Sequence, residues 1–162
     1  KVLPYVGAQF AGAFAGAAIV FAAYADALAA FDQGVRHVTG DLATAGIFAT
    51  YPQAYMGLMS GFLNEAIGTA LLMAGILAIT DSRNSPVPNG LAPIAVGLVV
   101  VAIGASFGFN TGYAINPARD LGPRLFTAVA GWGGEVFTAS HGWWWVPVVA
   151  PCVGAVAGGW LY

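Results

Sequence analysis

Long apolar intervals broken by short polar ones organise the chain. Residues 2–25 carry no charge, Glu65 is the only charge between Asp41 and Asp81, and the 35 residues 84–118 and the 27 after Glu135 have none. About 20 apolar residues carry a helix across the hydrocarbon core of a bilayer. Membrane spans are therefore expected at residues 3–24, 57–79, 91–109 and 143–162. The first interval is longer than the apolar core of a secretory signal peptide. Residues 80–90, TDSRNSPVPNG, are dense in turn formers and read as a short connection. Residues 25–56 read as a long linker bearing Asp26, Asp32, Arg36, His37 and Asp41.

Small residues recur inside these intervals. Gly61, Gly68 and Gly75 are seven apart, Ala66, Ala70, Ala74 and Ala78 four apart, and Gly97, Gly104 and Gly108 continue the habit. Such spacings make grooves in which helix backbones approach closely, so a compact bundle is expected. The first and last intervals also echo each other at an offset of 142. Ala8, Gly12, Ala13, Ala15 and Gly16 match Ala150, Gly154, Ala155, Ala157 and Gly158, the pattern of an internal structural repeat.

Composition narrows the class. Of 162 residues 7% are charged and 59% hydrophobic, and the mean hydropathy is +0.77. Twelve charges cannot coat a soluble globule of this size. A net charge of −2 excludes a nucleic-acid footprint. The single Cys152 excludes an intrachain disulfide and a cysteine zinc site, and reads as a small core residue. No metal site is expected from His37 and His141, which fall in expected loops. Lys1 and Arg83 lie on one side of the spans and Arg36 on the other, which places the long linker outside.

The candidate chemistry lies in residues 107–133, FGFNTGYAINPARDLGPRLFTAVAGWG. Asn116 is a good N-cap, Pro117 suits the first helical position and Gly131 the residue beyond the end. A helix over 117–130 follows, too short to span: a surface loop helix or a re-entrant half-helix. Arg119 then stands in its first turn, where the helix dipole disfavours a cation, and a residue set against a local rule is a functional candidate. Asp120 and Arg124 are spaced as a structural i,i+4 pair. The preceding run 110–115 reads as extended backbone with free carbonyls, tolerated at membrane depth only if buried or lining a wet cavity. Together these features describe a pore wall: carbonyls accept, Asn116 and Arg119 donate, and Tyr113 offers an aromatic face. The helix N-terminus and Arg119 make the narrow zone electropositive, repelling protons and cations.

Asn116-Pro117-Ala118-Arg119, set within Gly112-Tyr-Ala-Ile-Asn-Pro-Ala-Arg-Asp120 and followed by Gly122-Pro123-Arg124 and Ala130-Gly-Trp-Gly133, resembles the second signature loop of the aquaporin (major intrinsic protein) family. Gly46-Ile-Phe-Ala-Thr-Tyr-Pro52 in the linker and Trp143-Trp-Trp-Val-Pro147 resemble the vertebrate aquaglyceroporins. The resemblance implies an all-α membrane protein, an inverted-repeat helical bundle with a re-entrant half-helix. The third to sixth spans are present, and the first two spans and first half-helix are missing. With Lys1 in place of an initiating Met, the chain is expected to be about two-thirds of a protomer.

The resemblance also assigns roles. Tyr113 and Arg119 map to the selectivity filter. Gly104, twelve residues before Asn116, stands where water-selective members carry His, and Asp120 where they tend to carry Ser. Carbonyls of Gly112, Tyr113, Ala114 and Ile115 would line the path beside Asn116, Pro117 and Ala118. Glu65, read from the residues alone as a buried acceptor, matches the family glutamate that braces this loop, with Asp120 as further support.

The expected function is passive passage of glycerol, water and other small neutral solutes through a multi-pass protein of the plasma membrane. No cofactor is expected, the expected assembly is a homotetramer, and the partners are the solutes and the lipid bilayer. A water-selective channel and a membrane scaffold or adhesion protein with a vestigial pore are the alternatives. The spans offer no nucleophile–base pair for an enzyme.

Overall fold

The computed structural model describes residues 1–88 and 90–162, and among these every regular element is helical. In apolar sequence a helix satisfies each backbone N–H and C=O internally, and the charge-poor intervals accordingly form the long helices. Helix α1 runs Val2–Ala23, α3 Leu58–Thr80 and α4 Ala92–Thr111, each 20 residues or more. Helix α7, Val146–Leu161, has 16 residues. The tight 3₁₀ turn Trp143–Trp145 and the short α6, Glu135–Gly142, precede it. With that lead-in, four helical stretches are long and apolar enough to cross a membrane.

Four local expectations are corrected. Residues 25–56 contain helix α2, Ala25–Asp32, and a 3₁₀ turn at Ala45–Ile47, where a plain linker was expected. Leu28 and Asp32 are buried on one side of α2, an i,i+4 pattern that scattered charges conceal. The short helix near the signature loop, α5, spans Pro117–Thr127 rather than 117–130. Residues Ala128–Trp132 open into a wider π turn, and Gly131 sits at φ +120°, which an α-helix cannot contain. Helix α4 continues through Thr111, so the irregular run before Asn116 begins at Gly112 and not at residue 110. Finally, Cys152 is exposed rather than in the core, because α7 turns Ala150, Gly154 and Gly158 inward and leaves Cys152 on its other face.

Small residues set the packing. A Cβ on Gly154 or Gly158 would overlap the carbonyls of Ala66 and Ala70, so α7 and α3 lie backbone to backbone. Gly61 of α3 leaves room for the fully buried Trp143 ring. Gly122 of α5 fits against Ala13 and the Phe10 carbonyl of α1 in the same way. A Cβ on Gly12 or Gly16, the matching pair in α1, would meet nothing within 4 Å outside its own helix among the described residues.

Two apolar clusters result. One gathers Ala17 and Leu28 with linker residues Val38, Ala45 and Phe48, and with Phe126, Trp132 and Val136 from the α5 side. The other joins Trp143, Val146 and Ala150 to Leu58, Phe62 and Ala66. The first cluster ties the linker to α5, and the second fixes α3 on α7.

Candidate functional site: a strained loop and a capped half-helix

Helix α4 ends at Gly112, which takes φ +82° and donates its N–H back to the Gly108 carbonyl at 2.9 Å. The chain then does something residues with a Cβ avoid: Tyr113 and Ile115 adopt φ +39° and +41°. Left-handed backbone at non-glycine residues costs on the order of 1–3 kcal/mol each and persists only where surroundings over-determine it. Glu65 of α3 supplies that constraint. Its carboxylate, fully buried, accepts from the Ala114 N–H at 3.0 Å, the Ile115 N–H at 2.7 Å and the Thr111 hydroxyl at 2.7 Å. Two consecutive amides aimed at one carboxylate turn the intervening carbonyls away from it. Among the described residues none of the carbonyls of Gly112, Tyr113, Ala114 and Ile115 accepts a hydrogen bond.

Asn116 closes the loop and opens α5. Its φ of −160° is extended, and its side-chain oxygen accepts from the Ala118 N–H at 2.9 Å and the Arg119 N–H at 3.3 Å. The oxygen being used as a cap, the amide N–H₂ of Asn116 is left as a donor. Asn116, Pro117 and Ile115 line a cavity of about 470 Å³ with Gln9, Thr69, Met73 and Cys152. A second cavity, of about 380 Å³, lies between α1 and the linker and is lined by Arg119, Phe48, Ile47, Ala13 and Ala17.

Gly104 and Tyr113 meet. A Cβ on Gly104 would stand 2.9 Å from the Tyr113 ring, and one on Gly108 would stand 2.7 Å from it. The ring occupies the groove that two missing side chains leave along α4. A larger residue at 104 must therefore displace Tyr113. Arg119 points elsewhere, donating from Nη1 to the Phe48 carbonyl at 3.2 Å.

Asp120 and Arg124 form the expected i,i+4 pair at 2.8 Å, with both side chains fully buried. Asp120 also accepts from the Thr50 N–H at 2.7 Å and from the Thr50 hydroxyl. Arg124 donates to the carbonyls of Thr50 at 2.6 Å and Val136 at 2.7 Å. The pair thus spends its remaining valences holding the linker and the chain beyond α5, as a buried ion pair must to offset its desolvation. Tyr51 lies with its ring 4.6 Å from the Arg124 guanidinium. Burial, with the charges of Asp120 and Glu135 against that of Arg124, pushes its phenol up to about 12, so it stays protonated.

The sequence gives no sign of what two linker residues do: Phe48, whose carbonyl accepts from Arg119, and Thr50, whose N–H and hydroxyl donate to Asp120. Gly46-Ile-Phe-Ala-Thr-Tyr-Pro52 stood out there as a stretch, without roles for its residues. Thr111 was likewise invisible, since a Thr in an apolar helix more often bonds its own i−4 carbonyl, as Thr69 does with Glu65; Gly108 stood out only as a small residue of a helix seam, not as a seat for the Tyr113 ring.

Relatives share this architecture. The family description "Major intrinsic protein" matches residues 1–162. Human Aquaporin-9 is 55% identical over 158 residues, covering 98% of this chain and 54% of that protein. Human Aquaporin-10 is 53% identical with 98% and 52% covered, and mouse Aquaporin-7 is 52% identical with the same coverage. The chain therefore spans about half the length of the curated relatives it matches. Among solved structures, the aquaglyceroporin from Plasmodium falciparum superposes with a TM-score of 0.84 at 34% identity, over 98% of this chain and 61% of that one. A match over every residue, a shared fold and the capped Asn-Pro-Ala helix beside a glutamate-held loop agree: the chain is that of an integral membrane protein and belongs to the major intrinsic protein, or aquaporin, family.

Proposed function

We propose that the protein containing this chain is a passive channel for glycerol, water and other small neutral solutes, and that it excludes protons and ions. Helices α1, α3, α4 and α7 cross the bilayer in this reading, α5 enters and returns, and the linker 25–56 faces outside. The membrane is the plasma membrane and the assembly a homotetramer. The residues perform no covalent chemistry and need no cofactor.

The observation that carries the reading is the row of unbonded carbonyls at 112–115 leading to two donors, Asn116 and Arg119. A solute that sheds water in a narrow path loses hydrogen bonds and must find replacements in sequence. Carbonyls supply acceptors for each hydroxyl proton, and Asn116 Nδ2 and the Arg119 guanidinium supply donors for its oxygen. Charge exclusion follows from Arg119 and the α5 N-terminus, both positive. Preference for a carbon-bearing solute over water alone is supported by Gly104, against which the Tyr113 ring lies as an apolar wall.

The test is stopped-flow light scattering on proteoliposomes of the full-length protein. Fast shrinkage in impermeant osmolyte and fast re-swelling in a glycerol gradient are expected. Gly104→His should cut glycerol re-swelling by at least about tenfold while water shrinkage falls less than about twofold, a rise of at least about 1.4 kcal/mol in the glycerol barrier and a selective change of at least about 1 kcal/mol. Shrinkage without re-swelling in the parent would mean a water-selective channel. Neither rate above empty liposomes, with insertion verified, would favour the scaffold alternative.

A further inference from the structure

The cluster that the channel reading leaves unused lies in the linker. Asp32, at the end of α2, is fully buried, an expensive place for a carboxylate in a segment that a few apolar residues could hold. It pairs with Arg36 four residues on and accepts from the Gly34 N–H at 3.1 Å and the Thr44 hydroxyl at 3.2 Å. A hydroxyl has one proton. Thr44 gives it to Asp32 and uses its oxygen to accept from the Trp132 indole N–H at 3.1 Å. The Arg36 guanidinium lies 5.4 Å from the Trp132 ring and 5.3 Å from the Phe21 ring.

This network leads to the filter position. The Trp132 and Phe48 rings meet edge to face, 5.4 Å apart. One 3₁₀ turn separates Thr44 from Phe48, closed by Ile47 N–H to Thr44 O at 3.2 Å and Phe48 N–H to Ala45 O at 3.1 Å. Two residues past Phe48, Thr50 is fixed by Asp120. The segment 44–50 is thus pinned at both ends, by Asp32 through Thr44 and by Asp120 through Thr50. Among the described residues, its hydrogen bond to Arg119 is made by the Phe48 carbonyl.

Resting on the channel reading above, we infer that Asp32 is a positioning residue for Arg119: with Thr44 and Trp132 it sets where the Phe48 carbonyl stands, and that carbonyl sets where the Arg119 guanidinium stands. The linker then contributes to solute choice through a carboxylate that no solute touches.

The experiment compares glycerol and water permeability per inserted protomer in proteoliposomes of the full-length protein. Asp32→Asn and Thr44→Val should shift the glycerol-to-water ratio by at least about threefold, whereas Thr44→Ser, which keeps the hydroxyl, should stay within about 1.5-fold of the parent. In an Arg119→Val background the same substitutions should leave the ratio unmoved, since the group they position is gone. Both fluxes falling in proportion, or an equal ratio shift with and without Arg119, would overturn the inference and leave Asp32 a folding residue. Should Asp32→Asn fail to insert, the Thr44→Val and Thr44→Ser pair decides the matter alone. A conducting parent with unmoved ratios sinks only this inference, and a parent passing neither solute sinks the channel reading and this one together.

Discussion

Glu65 shows how one side chain can hold a conformation its neighbours would otherwise refuse. Tyr113 and Ile115 both sit in left-handed backbone, and the amides of Ala114 and Ile115 end on the Glu65 carboxylate. A glutamine there is nearly isosteric but brings its own N–H₂ toward donors. Hydrogen bonds to a charged acceptor contribute about 1.5–3 kcal/mol each, so Glu65→Gln should lower the thermal midpoint in detergent by several degrees. Glu65→Asp, too short to reach both amides, should do as much. Size-exclusion monitoring of the folded fraction against temperature checks both, and an unchanged midpoint would mean that something else holds the loop.

At the scale of elements, α5 is a short helix governed by its neighbours. Its cap is internal, from Asn116, but its side chains Asp120 and Arg124 reach the linker and the chain near α6. The linker is held in return at Asp32. Burial pushes the Asp32 carboxyl up, but the hydrogen bond and charge of Arg36, with Thr44 and Gly34, outweigh it and hold the group below the usual carboxylate range. A carboxyl depressed on folding adds stability above its unfolded value, about 3.9, and loses it as pH falls through the folded one. Asp32 should therefore contribute constantly from pH 8 down to about 5 and progressively less below about 4. Thermal midpoints across that range test this: Asp32→Asn should remove part of the acid-side fall and lower the plateau. An acid limb identical in parent and variant would contradict it.

At the scale of the whole molecule, backbone contact between α3 and α7 is the main seam. Gly154 and Gly158 admit Ala66 and Ala70 so closely that any side chain at either glycine must part the helices. Lipid tails are as apolar as the helices, so close packing rather than burial from water drives association here. Gly158→Leu should abolish the monodisperse peak of the detergent-solubilised protein, whereas Gly97→Leu, where a Cβ meets nothing within 4 Å among the described residues, should leave it intact. Equal behaviour of the two variants would show that the seam does not carry the fold.

Much of this was legible along the chain. The absence of charge over 20 or more residues marks a span whatever its neighbours, because the cost of a charge in hydrocarbon is a property of the residue. Asn116 as a cap, Pro117 at the first position and the spacing of Asp120 and Arg124 are equally local, since each partner lies within one helical turn. Charge counting failed where order came from afar: α2 and the turn at Ala45–Ile47 stand inside a segment whose burial depends on Phe21, Phe126 and Trp132.

What the amino-acid order determined by itself is thus the all-helical membrane class, the four long helices, the family, and the irregular run that ends at the Asn116 cap of a short helix, all consequences of composition, period and motif. Only the tertiary structure decided that Tyr113 lies in the groove of Gly104 and Gly108, that Glu65 holds Ala114 and Ile115, that Arg119 ends on Phe48, and that Asp32 is buried at all. The physical reason is separation: these partners are 5 and 9, 49 and 50, and 71 residues apart along the chain, and hydrogen bonds and van der Waals contacts act over a few ångströms. The Glu65 and Arg119 pairs exist only after the elements have packed, and the Tyr113 ring lies back on its own helix only because the loop after it is held in left-handed backbone.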